Sequence, residues 1–214
     1  MSELDTEPVM MPLLTPIGEC DFVIEKSKLG MKIINLLADF SESFVYGGFV
    51  RDFLVRREKF NDLDLFIKNS NIGDGDDMEN NHRDSKILKI RNEFENRLRD
   101  CEMEIVSMKN NRETVDYLIK FEGDLLELNV IYEDIENDVP DFDVNNLKFQ
   151  NGNISQRIPM ENCTVNGIVE NIMKKQCILL DETLVKDETN YYIRRRIKKM
   201  QKKGWLVMNI PNTN

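Results

Sequence analysis

YGGFVRDFLVRREKFNDLD, from Tyr46 to Asp64, packs a β-prone entry, a glycine pair, a helical pattern and an acid-apolar alternation into nineteen residues. Ser43 to Tyr46 is short and β-prone, and Gly47-Gly48 breaks it. Phe49 to Arg57 then sets Val50, Phe53 and Leu54 on one helical face. Asp62 to Ile67, DLDLFI, alternates before turning apolar, as a half-buried strand does. Strand, glycine turn, helix and strand therefore follow one another.

Two apart on that second strand, Asp62 and Asp64 leave the same face, while Leu63 and Leu65 point to the other, into the core. Like charges so close repel unless a cation lies between them, and a hard divalent ion with oxygen ligands, Mg²⁺ or Mn²⁺, suits them. An Asp-x-Asp alone is more often a solvated strand face. Thirteen residues upstream stands Gly47-Gly48, whose missing side chains let backbone approach a polyphosphate and aim the first helical N–H groups at it. In Leu126-Glu127-Leu128 the apolar neighbours bury on one face, leaving Glu127 and Asn129 on the other. If that strand lies beside the first, Asp62, Asp64 and Glu127 converge as ligands for two metal ions.

Outward from this centre the chain supplies a sheet and its helices. Residues 1–20 mix prolines with acids and read as a loose N-terminal arm. Ser27 to Phe40 has helical spacing through Leu29, Ile33, Leu36 and Leu37. Residues 69–84 read as a flexible acidic loop that holds His82, the single histidine. Ser85 to Arg99 is an amphipathic helix with Ile87, Leu88, Ile90, Phe94 and Leu98 at helical intervals. Glu102 to Met108, Thr114 to Phe121 and Asp124 to Tyr132 are three further strands. The expectation is an α/β (α+β) domain over 21–150, a mixed sheet flanked by helices, followed by a small helical and strand appendage over 151–214.

Charge divides the chain. The net charge is -10, yet from Asn171 onward 10 basic residues face 4 acidic ones. Non-specific nucleic-acid binding by the average surface is thereby disfavoured, and any polyanion handle belongs to the C-terminal segment. There, YIRRRIKKMQKKGW from Tyr192 to Trp205 sets Ile193, Ile197 and Met200 on one side. Arg194, Arg195, Arg196, Lys198, Lys199, Lys202 and Lys203 form a cationic surface, read either as the solvated side of a docked helix or as a phosphate rail for RNA or a triphosphate. Steep salt dependence of binding separates the two. The four cysteines are dispersed without a CxxC pair, which argues against zinc-ribbon and disulfide frameworks and for a reducing compartment. No signal peptide or membrane span is expected.

Tyr46 to Asp64 resembles the signature of the DNA polymerase β-type nucleotidyltransferase superfamily, and more narrowly the head domain of tRNA CCA-adding enzymes and bacterial-type poly(A) polymerases. Their motif reads Gly-Gly-x-Val-Arg-Asp-x-Leu-Leu-Gly-Arg followed by Asp-x-Asp. Gly47, Gly48, Val50, Arg51, Asp52, Leu54 and Arg57 match it, Val55 is conservative, and Arg56 replaces the last glycine. Glu127 resembles the family's third carboxylate. Asp141-Phe142-Asp143-Val144-Asn145-Asn146-Leu147 runs in register with the family's Arg-Arg-Asp-Phe-Thr-Ile-Asn-Ala-Leu, with Val139 and Pro140 in place of the arginines. The resemblance covers roughly residues 40–150 and extends to short stand-alone relatives in large DNA viruses.

The resemblance implies a template-independent nucleotidyltransferase moving a nucleoside monophosphate from an NTP to a hydroxyl, foremost an RNA 3′ end. It implies Asp62, Asp64 and Glu127 as catalytic metal ligands, and Gly47, Gly48, Arg51, Asp52, Asp141 and Asn145 as nucleotide contacts. A cytoplasmic or virion location, and a protein partner or second copy, go with it. A protein or small-molecule acceptor and a non-catalytic binding module stand as alternatives.

Overall fold

Apolar residues at i, i+4, i+7 and i+8 start the first helix, α1 (Asp21–Leu37), whose Leu29, Ile33, Leu36 and Leu37 are buried. The computed structural model describes residues 9–10, 21–68, 80–111, 114–132, 140–160, 163–180 and 191–209. Strand β1 (Val9–Met10) precedes α1, and β2 (Phe44–Tyr46) follows it. A π-helical turn over Phe49–Val55 leads to β3 (Asp62–Phe66), and α2 (Asn80–Asp100) leads to β4 (Glu104–Asn111), β5 (Thr114–Phe121) and β6 (Asp124–Ile131). After a 3₁₀ turn at Asp143–Asn145 come β7 (Leu147–Gln150), β8 (Asn153–Gln156), α3 (Val165–Met173), β9 (Gln176–Cys177), α4 (Tyr191–Lys202) and β10 (Leu206–Val207).

Eight strands form one mixed sheet in the order β1-β8-β7-β2-β3-β6-β5-β4, and β9 and β10 make a separate parallel pair. Within the large sheet only β3 and β6 run parallel. Leu63 and Leu65 of β3 and Leu126, Leu128 and Val130 of β6 are buried on one face. Ile90, Phe94 and Leu98 of α2 also join the core, and Phe94 lies edge-on to Phe40, Tyr117 and Tyr132. Each such buried Leu or Phe contributes about 1.5–3 kcal/mol over an exposed one. The polar tips of the tyrosines are satisfied: their hydroxyls lie 2.9 Å apart, and Tyr117 also donates to Glu95 at 3.1 Å. With the apolar side so filled, Asp62, Asp64, Glu127 and Asn129 occupy the other face.

The expected α+β architecture with a mixed, helix-flanked sheet is the observed one. Several local expectations differ. The helix expected over Phe49 to Arg57 is present but is a π-helix over Phe49–Val55, and just beyond it the Glu58 amide donates to the Asp52 carbonyl at 2.8 Å. The π-helical turn buries Phe49, Val50, Phe53 and Leu54 together and stops at Arg57, whose φ is +62°. The segment 80–84, read as loop, is the start of α2, so His82 lies on a helix. Backbone hydrogen bonds extend this helix beyond its packed apolar row. Residues 69–79 lie outside the described residues, as does the N-terminal arm apart from β1.

Strands β7 and β8 were not expected. Their signal is Asn151-Gly152, two residues with φ of +50° and +82°, the type I′ geometry that closes a tight hairpin. The boundary drawn at 150 falls in this turn. One hydrophobic core runs on through Ile168, Ile172, Leu179, Ile193, Ile197, Met200 and Trp205. Among the described residues no helix is long and apolar enough to cross a membrane.

Candidate active site

Strand register brings the acids together. Tyr46 of β2 pairs with Asp64, and on the other side of β3 Asp62 pairs with Glu127 and Asp64 with Asn129. The strand condition set by the sequence for a three-carboxylate site is met, since β3 and β6 are direct neighbours. The carboxylates themselves divide: Asp62 and Asp64 line a pocket of about 350 Å³, whereas Glu127 is exposed and stands outside its lining. Among the described residues no three carboxylate, histidine or cysteine side chains gather closely enough to hold one metal ion.

Burial, reinforced by the negative charge of Asp62, pushes the Asp64 carboxyl above the usual carboxylate range. Asn129 and the Gly48 amide partly oppose this rise by donating hydrogen bonds to Asp64. The Asn129 amide spans the pair with long contacts, 3.4 Å to Asp62 and 3.3 Å to Asp64. Two oxygen-donor side chains held at one pocket wall, one of them costly to ionise, form a donor set that fits a hard divalent cation.

Gly47 and Gly48, treated alike in the sequence, differ in the structure. Gly47 has φ +69°, and a Cβ there would lie 2.1 Å from Asp64 Oδ2. Its absent side chain makes room for the Asp64 carboxylate itself. Gly48 has an ordinary right-handed backbone, and a Cβ there would make only van der Waals contact, the nearest atom being Asp52 Oδ2 at 3.7 Å. Both glycines line the pocket.

Of the other candidate nucleotide contacts, Arg51 is buried and doubly bonded to Asp52, with Nε–Oδ1 and Nη2–Oδ2 both 2.7 Å. Its Nη1 donates to Asn145 Oδ1 at 2.7 Å, and its guanidinium lies 5.1 Å from the centre of the Trp205 ring. Arg51 and Asn145 reach the pocket, but Asp52 is not part of its lining. Asp141 lines it while accepting from Arg196 Nε. Arg56, standing where the family motif has glycine, donates to the Ile172 carbonyl at 2.7 Å and so caps the C-terminus of α3.

The basic helix α4 docks through buried Ile193, Ile197 and Met200, as its spacing predicts. Its seven cations divide. Arg196, Lys199 and Lys203 line the pocket, whereas Arg194, Arg195, Lys198 and Lys202 are exposed outside it. The sequence reading joined all seven in one surface because charge alone does not tell which side of a docked helix meets the site. Tyr46, Arg157 and Tyr192 also line the pocket without having been singled out, and the Arg157 guanidinium lies 4.5 Å from the centre of the Tyr46 ring. No local motif marks Arg157, which reaches the pocket because the β7–β8 hairpin returns beside β2. Pro140 lines the pocket where an arginine was absent, and the cations there come from later in the chain.

No protein-family model and no curated protein matches the chain. Solved structures do. A Thermotoga maritima CCA-adding enzyme complexed with tRNA is similar at 18% identity and a TM-score of 0.53, over 88% of this chain and 42% of that one. A CCA-adding enzyme in complex with ATP gives 16% identity and 0.53 over the same shares. One in complex with CTP gives 18% identity and 0.52, over 88% of this chain and 41% of that one. The chain thus spans less than half the length of these enzymes, while the likeness extends beyond the 40–150 stretch that carries the sequence resemblance. In its mixed sheet, flanking helices and strand-turn-strand centre, this chain has the nucleotidyltransferase fold, in the form seen in CCA-adding enzymes.

Proposed function

We propose that this chain is a metal-dependent, template-independent nucleotidyltransferase that moves a nucleoside monophosphate from an NTP to a hydroxyl, foremost the 3′ end of an RNA. The observation that carries this reading is the Asp62–Asp64 pair set beside Gly47-Gly48 in a pocket that Arg51, Arg157, Arg196, Lys199 and Lys203 also line. In the reaction the acceptor hydroxyl releases its proton to solvent as its oxygen bonds to the α-phosphorus, the bond from that phosphorus to the bridging oxygen breaks, and pyrophosphate leaves with the electron pair. Asp62 and Asp64 would hold Mg²⁺ or Mn²⁺, with Glu127 on the adjoining strand as the third carboxylate beside the acceptor. The bound cation supplies charge neutralisation at the phosphoryl oxygens and a lowered pKa for the attacking hydroxyl.

This chain's own groups do the positioning. Gly47 leaves space for Asp64, Gly48 presents backbone to the phosphates, and Asn145 is held by Arg51 where it meets the nucleotide. The exposed Arg194, Arg195, Lys198 and Lys202 offer an RNA backbone a surface beside the pocket mouth. The tRNA bound by the similar Thermotoga maritima enzyme supports an RNA acceptor.

Labelled NTPs offered with a short RNA, with cell extract or with the protein alone, in Mg²⁺ or Mn²⁺, test the reaction and the acceptor together. Divalent-dependent lengthening of the RNA supports the proposal. Label on protein or on a small molecule moves the acceptor assignment, and product profiles identical between wild type and Asp62→Ala with Asp64→Ala refute catalysis.

A further inference from the structure

The cations of the pocket are not equivalent. Arg51 is tied to Asp52 and Asn145, Arg196 is tied to Asp141, and Arg157 lies against Tyr46. Lys199 and Lys203 line the same pocket, and among the described residues neither forms an ion pair. The Lys203 amide donates to the Lys199 carbonyl at 3.2 Å, so the two stand one helical turn apart, Lys203 just past the C-terminal end of α4. Two like charges placed there repel each other, in a protein whose net charge is -10 and which has ample acids with which to pair them.

The surroundings sharpen the oddity. Partial removal from water, then the positive charge of Arg51, holds the Lys203 ammonium below the usual lysine range. Asp52 and Asp62 work in the opposite direction without reversing the shift. An anion entering the pocket would relieve both the mutual repulsion and the Arg51 effect. The Asp62–Asp64 wall is suited to a cation and the Lys199–Lys203 wall to an anion, so the pocket is polarised along its length.

We infer that Lys199 and Lys203 form the subsite for the polyphosphate tail of the NTP and for the pyrophosphate that leaves. This rests on the nucleotidyltransferase reading and gives α4 a role within the active site. Arg196, anchored on Asp141, fixes the helix so that Lys199, about one turn further on, and Lys203, about two turns on, reach the tail. As the bond between the α-phosphorus and the bridging oxygen breaks, charge accumulates on the β-phosphate, and ammonium groups already in place stabilise it without reorganisation.

The test is equilibrium binding by calorimetry with the full chain and no acceptor. The ligands are the four common NTPs, their monophosphates, inorganic tripolyphosphate and a short RNA, in Mg²⁺. Lys199→Gln with Lys203→Gln is expected to weaken NTP and tripolyphosphate binding by about tenfold or more, the loss of two charge-assisted contacts, with monophosphate affinity within about twofold. Lys199→Arg with Lys203→Arg is expected to keep tripolyphosphate affinity, and an unchanged urea midpoint certifies that each variant is folded. Unchanged NTP affinity in the glutamine variant overturns the inference and leaves the nucleotidyltransferase reading intact. Equal weakening of mono- and triphosphates, or weakening of RNA alone, also overturns it. A wild type that binds none of the nucleotides overturns both.

Discussion

On one wall of the pocket, Asp62 and Asp64 sit two residues apart on a strand, and the glycine that makes room for them is within the same nineteen-residue stretch. On another wall, Lys199 and Lys203 come from a helix that begins 127 residues after Asp64. The first wall is local: its spacing sets its geometry, because a strand sends alternate residues to one face. The second depends on how α4 docks, and docking is decided by Ile193, Ile197 and Met200 entering a core shared with distant elements. Chemistry written into a short stretch survives as a motif, and chemistry assembled by packing leaves only a composition bias.

Removing the local wall is expected to have the largest effect. Asp62→Ala with Asp64→Ala should lower nucleotide transfer by about a thousandfold or more, the several kcal/mol that metal-assisted charge stabilisation supplies. The same change should leave the urea midpoint equal or higher, since it removes a carboxylate pair in which Asp64 is costly to ionise. A midpoint that falls along with activity would assign the pair to folding and break the distinction between the walls.

Arg51 joins the two walls, reaching Asp52 in the π-helical turn, Asn145 after β6, and the Trp205 ring beyond α4. Arg51→Ala should therefore cost about 3 kcal/mol of stability, because it leaves Asp52 and a buried Asn145 without their donor. Arg51→Lys should recover only part of this, as a lysine cannot make the forked contact. Urea unfolding at constant m-value measures both.

Gly47 and Gly48 test the local wall at finer grain. Gly47→Ala forces an L side chain into φ +69° and onto the Asp64 carboxylate, for a loss of about 2 kcal/mol. Gly48→Ala meets nothing closer than 3.7 Å, and its loss should stay below about 1 kcal/mol. Equal losses would show that the close approach to Asp64 is not what Gly47 provides.

What was legible follows the same division. β5, β6 and β3 could be read from alternation, and burial of Leu63, Leu65, Leu126 and Leu128 fixes which face the acids take, whereas the partnership of β3 with β6 was only a condition of the Glu127 argument that the strand register meets. β7 and β8 carried a readable turn in Asn151-Gly152 but little alternation, since Lys148, Phe149 and Gln150 are all half-buried. The division of α4 into pocket and solvent sides could not be read, because Arg196, Lys199 and Lys203 differ from Arg194, Arg195, Lys198 and Lys202 only in what the folded chain places beside them. Asp143 is the converse case. It was quoted within a nucleotide-binding motif, yet it is buried and bonded to the Ile178 amide and to Asn171, both at 2.7 Å.

That buried carboxylate supplies the smallest and most specific contrast with the acids of the pocket. Burial raises the Asp143 pKa, and the hydrogen bonds from Ile178 and Asn171 do not fully offset it. A carboxyl whose folded pKa lies above its unfolded value binds its proton more tightly in the native state. Its effect on stability is therefore absent below the ordinary carboxylate pKa of about 4, grows as pH rises towards the folded value, and is a constant penalty above it. Asp143→Asn removes that titration and should flatten the fall of the melting temperature across this window. The amide oxygen can still accept from Ile178, and Asn171 can turn its own oxygen towards the new NH₂, so the hydrogen bonds survive. Nucleotide transfer should be retained, because Asp143 does not line the pocket. An unchanged pH slope in the variant would transfer the titration to another buried acid, whereas a flattened slope with lost transfer would put Asp143 among the groups that position Asn145.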